Sequence, residues 1–128
     1  MVFFPAPRLG RKGAFELAAA FREGLDAELV ILGRANEGAA DPFNGIACTQ
    51  GSSADLARAS AVVLPAWIEH QPRLALLALA SGIPVVATEA CGLPEHPLLH
   101  LLPSPDGAAL RTILKAVLQP VDAAYAAC

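Results

Sequence analysis

The chain has 128 residues, of which 55% are apolar and 16% charged, and its formal net charge is −3. That length fits one domain, spanning 1–128, with a single core. The low charge, the lack of a basic run and the single Tyr and Trp leave no footprint for nucleic acid, and no uncharged apolar stretch reaches the roughly 20 residues of a membrane span.

The first apolar run, 2–6, reads as a strand. A loop with Arg8, Arg11 and Lys12 follows and ends at Gly13. Ala14, Leu17, Ala18, Phe21 and Leu25 then recur at helical spacing, with Glu16, Arg22 and Glu23 opposite. "AELVILG", 27–33, is apolar without alternation, as suits a parallel sheet buried on both faces. Residues 34–44 are rich in Gly, Asn, Asp and Pro and read as loop. A short third strand is expected within 45–51, and a brief helix through 54–58 capped by Ser52 or Ser53.

The fourth strand is expected at 61–66. Pro72 fits a first helical turn, and residues 73–81 are apolar on every side, which predicts a helix covered on more than one side with Leu77 in the core. Gly82 suits the C-terminal cap. A fifth strand is predicted at 83–88 and a short sixth at 98–102. Ser104, Pro105 and Asp106 open a last helix whose stripe is Leu110, Ile113, Leu114, Val117 and Leu118. The tail after Pro120 has room for a further helical turn.

Strands alternating with helices imply right-handed βαβ crossovers and an α/β, doubly wound, Rossmann-like parallel sheet. Ligands of such sheets bind beyond the carboxyl ends of the strands. Those loops are 7–13, 34–44, 66–72 and 89–97. The chain lacks G-x-G-x-x-G, a Walker loop and G-x-S-x-G. Cys48, Cys91 and Cys128 are sparse and form no CxxC pair, which predicts reduced thiols in a cytoplasmic setting and no metal. In the first thirteen residues the basic side chains follow the apolar ones, the wrong order for a secretory signal.

Three segments carry a resemblance: "PRLGRKGAFELAAAFREG", "AELVILG", and "DLARASAVVLPAWIEHQPRLALLALASGIPVVATEACGLPE". In this order they resemble the C-terminal, nucleotide-sugar-binding half of retaining GT-B-fold glycosyltransferases, in particular glycosyltransferase family 4. The resemblance covers roughly residues 2–97. It implies one half of a GT-B fold that transfers a glycosyl group when joined to an N-terminal acceptor-binding domain, or to a partner chain supplying it. The isolated half is then expected to show no transfer.

The resemblance further implies that Arg8 and Lys12 bind the donor diphosphate without an obligatory metal or other cofactor. Positioned cations stabilise charge developing on the leaving diphosphate, and the backbone around Arg73 and Leu74 is expected to offer amides to the same phosphates. Glu69 matches the first glutamate of the family's paired motif and is the catalytic candidate. His70 is its neighbour at the donor sugar. The family's second glutamate, which accepts from the ribose hydroxyls, falls at Leu77, and leucine accepts nothing. If the backbone follows the family, a glutamate at 77 is expected to restore that contact. The Gly-rich turn is replaced by His70, Gln71 and Pro72, and the interval from Arg8 to Lys12 is about one residue short.

Ordinary readings stand beside these. Arg8, Arg11 and Lys12 also suit a solvated turn, Glu69 an exposed loop acid, and Arg73 a side chain lying over apolar surface. His70 also suits a solvent-facing position, as do His96 and His100. A non-catalytic interaction module descended from such a transferase, with an apolar surface for a partner or a second copy, is the alternative function.

Overall fold

The computed structural model describes residues 1–5, 13–25, 27–32, 43, 45–67, 73–103 and 106–118. In chain order the elements are β1 (Val2–Phe4), α1 (Ala14–Arg22), β2 (Leu29–Ile31), β3 (Thr49–Gln50), a 3-10 helix (Ser53–Arg58), β4 (Ala61–Leu64), α2 (Arg73–Ala80), β5 (Val85–Thr88), a 3-10 turn (Glu89–Cys91), β6 (Leu99–Leu102) and α3 (Gly107–Val117).

The six strands form one sheet in the order β3-β2-β1-β4-β5-β6. Every pairing is parallel, with Phe3 opposite Val30 and Val62, and Val63 opposite Val86. The predicted α/β, doubly wound fold is therefore the observed one. β1 and β4 end earlier, and β5 begins later, than the apolar runs suggest, because proline lacks the N–H that the ladder needs. Pro5 and Pro65 follow β1 and β4, and Pro84 stands just before β5.

The central strands β1, β2, β4 and β5 are wholly buried, as continuous apolar runs in a two-sided sheet should be. The edge strands β3 and β6 are mostly exposed or half-buried. Right-handed crossovers put α1 and α3 on one face and α2 on the other. On α3, Leu110 and Leu114 are buried, and Asp106 caps the helix by accepting from the amides of Ala108 (2.9 Å) and Ala109 (3.4 Å). Before β4, the short 3-10 helix is closed by Asp55, which accepts from the Ser52 amide and from the Arg58 guanidinium. Those two bonds hold the Asp55 carboxyl below its ordinary range, the Ser52 amide contributing most.

α2 corrects one expectation. Ala75, Ala78 and Leu79 form its buried stripe, but Leu76 is 41% and Leu77 is 52% exposed. The helix is covered on one side, by β4, β5 and the 3-10 helix, so Leu77 is a surface residue and not part of the core. Gly82 caps α2 as expected. Its φ of 83° is the left-handed region that glycine adopts freely, and the Ile83 amide turns back to the Ala78 carbonyl at 2.9 Å.

Phe43, in a stretch that reads as polar loop, is also core. It is 1% exposed and meets Phe4 edge to face with ring centres 5.8 Å apart.

Candidate functional site

Strand order reverses between β1 and β4: the chain leaves β1 toward β2 and β3, then returns to the other side of β1 as β4. At such a switch point the two following loops diverge and leave a crevice past the carboxyl ends. The loop after β1 carries Arg8 and Lys12, and the loop after β4 carries Glu69 and His70. These four lie outside the described residues, but the positions that frame them are described.

Gly13 closes the first loop and stands at the N-terminus of α1 with φ 84°. A methyl group on its Cα would overlap the Pro65 carbonyl and ring. Two demands therefore require glycine here, the left-handed backbone and direct contact with the end of β4. Three residues on, in the first turn of α1, Glu16 accepts a hydrogen bond from the Trp67 indole N–H, 3.0 Å away. An acid in a first helical turn is also favoured by the helix dipole. The start of α1 and the segment after β4 are thus joined by a backbone contact and a side-chain bond.

From the other side, β5 holds the same segment. Thr88 is 1% exposed, and its hydroxyl donates to the Ala66 carbonyl at 2.5 Å. The Cys91 thiol donates to the Leu64 carbonyl at 3.4 Å and lies 3.6 Å from the Thr88 hydroxyl. Ala66 stands past β4, where the chain no longer pairs as a strand, so the Thr88 hydroxyl satisfies a buried carbonyl that the ladder does not reach.

Of the predicted diphosphate contacts, Arg73 and Leu74 are described. They open α2, Arg73 exposed and Leu74 half-buried. Leu77 lies elsewhere. It lines an open groove of about 470 Å³ with Ser53, Ala54, Leu56 and Ala57 of the 3-10 helix and with Ser81 and Ile83 before β5. A glutamate at 77 would enter this groove. His96 belongs to a second groove, about 520 Å³, with Glu95, Pro97, Leu99 and Leu101; its Nδ1 accepts from the Leu98 amide at 3.0 Å. His100 is exposed on β6. Among the described residues no cluster of His, Cys, Asp or Glu is placed to hold a metal, and no helix is long and apolar enough to cross a membrane.

Sequence reasoning missed Trp67, Glu16, Thr88 and Cys91. For Trp67, Thr88 and Cys91 the available signal was position, at or within three residues of the carboxyl end of β4 or β5; Glu16, inside α1, carries no such signal.

No family model matches the chain, and no curated protein does. Among solved structures, it is similar to a sucrose-phosphate synthase from Thermosynechococcus elongatus, with a TM-score of 0.72 and 23% identity over 91% of this chain. The match spans 36% of the synthase, so this chain corresponds to about a third of that protein. At this identity the likeness concerns the fold alone, a Rossmann-like α/β unit.

Proposed function

We propose that this chain is a nucleotide-sugar donor-binding domain of the GT-B type, which supports glycosyl transfer when paired with an acceptor-binding domain. The observation that carries the reading is the switch point: the segments bearing Arg8 and Lys12 on one side and Glu69 and His70 on the other are framed by Gly13 and Pro65, which touch. The GT-B-like fold of the synthase neighbour is consistent with it. In this reading Arg8, Lys12 and the amides at Arg73 and Leu74 take the diphosphate, and no metal or other cofactor is required of them. Glu69 and His70 face the sugar, since a carboxylate beside a diphosphate is repelled. The setting is cytoplasmic, where sugar nucleotides are available.

One observation favours the alternative of a non-catalytic interaction module. Leucine occupies position 77, where the resembled family has its ribose-binding glutamate, and Leu77 lies exposed in an apolar groove.

Calorimetric titration with UDP, ADP and GDP separates the two. A donor domain binds at least one of them saturably, and Lys12→Ala weakens that binding about tenfold, the equivalent of about 1.4 kcal/mol. Absence of binding to all three supports the interaction module.

A further inference from the structure

Trp67 is the sole tryptophan of the chain, and it is 53% exposed although Ala66 beside it is fully buried. It stands at the carboxyl end of β4, next to the switch point. Its polar edge is already engaged by Glu16 at 3.0 Å, so what the ring has left to offer is its face. Glu16 is half-buried and roots the indole to the first turn of α1. A ring held in this way loses little further freedom when a second ring packs on it.

The pair has a definite chemistry. An indole face carries the negative side of a quadrupole and attracts the weakly positive C–H groups on one face of a pyranose. A carboxylate has two oxygens and about four acceptor sites. The indole N–H engages Oε1, so acceptor capacity remains for hydroxyl groups within reach of the same ring. The negative charge of Glu16 disfavours a phosphate at this spot and suits a neutral, hydroxyl-bearing ring. A flat base would also stack on the ring and donate an N–H to the carboxylate, but it would do so equally in a bare nucleoside diphosphate, which is the outcome the test separates.

We propose that Trp67 and Glu16 form a sugar platform, on which the hexosyl ring of a sugar nucleotide packs against the indole while Glu16 accepts from its hydroxyls. This rests on the donor-domain reading above and adds to it the wall that recognises the sugar.

The test uses the emission of Trp67 in the 128-residue chain, titrated with UDP-, ADP- and GDP-glucose and with the three bare diphosphates. The expected result is a saturable emission change with a glucose conjugate that exceeds the change with its bare diphosphate. Trp67→Ala should weaken the conjugate about tenfold more than the bare diphosphate. Trp67→Phe should recover most of that loss, and Glu16→Ala should share its direction at smaller size. Equal weakening of conjugate and bare diphosphate would overturn the sugar platform, as would emission that does not respond to a conjugate bound by calorimetry; the donor site itself would survive both. If no diphosphate or conjugate binds, the platform and the donor reading fall together.

Discussion

The two helices that follow the switch-point strands are held very differently. α1 is pinned at its start: Gly13 lies directly on Pro65, and Glu16 holds Trp67. It also buries Ala14, Leu17, Ala18 and Ala20, three of them alanines that let it sit close to the sheet and to α3. α2 buries Ala75, Ala78 and Leu79 and leaves Leu76 and Leu77 half-exposed. The contrast locates structural demand. The chain spends glycine, buried hydroxyl and thiol groups on fixing the backbone where α1 meets the end of β4, and it leaves the outer flank of α2 free to vary.

The strongest way to break this contrast is Gly13→Ala. A left-handed backbone costs a non-glycine residue about 1–2 kcal/mol, and the added methyl must displace the Pro65 carbonyl, which is backbone and cannot swing aside. Together these should cost about 3 kcal/mol or more, read as a fall in the urea midpoint at unchanged slope. Next comes Thr88→Val, nearly isosteric, which strands the Ala66 carbonyl. An unsatisfied buried acceptor costs about 1–3 kcal/mol. This variant should lower the melting temperature and also loosen the segment that carries Trp67, so the rotational mobility of the indole, read by fluorescence anisotropy, should rise. On α2, by contrast, Leu77→Glu should change stability by no more than about 0.5 kcal/mol, the usual range for a surface site. Its groove partners belong to the 3-10 helix and the start of β5, so affinity for a nucleoside diphosphate should not change. A tenfold gain would mean that position 77 reaches the ribose after all.

Much of the fold was legible because strands such as 61–66 and 83–88 are uninterrupted apolar runs, and a parallel, two-sided sheet leaves that mark. Gly82 and Asp106 were readable as caps because their chemistry is local. What escaped depends on tertiary contact. The exposure of Leu77 follows from how little covers α2, and local hydropathy cannot count the neighbours a helix will have. Phe43 sits in a polar, glycine-rich stretch, and its burial against Phe4 comes from chain return over more than thirty positions. At the candidate site, the charged residues read in the loops after β1 and β4 lie outside the described residues. The Trp67–Glu16 bond was not legible, since its partners are 51 positions apart and meet only because β1 and β4 are neighbours.

The central claim is that the crevice between the ends of β1 and β4 takes the ligand. Amide chemical-shift mapping of the labelled chain during titration with UDP, ADP and GDP tests it most directly. The account predicts that the largest shifts gather at Gly13, Ala14, Arg73 and Leu74. Shifts centred instead on the groove of Leu77, Ala57 and Ile83, or on that of His96, Leu99 and Leu101, would contradict it.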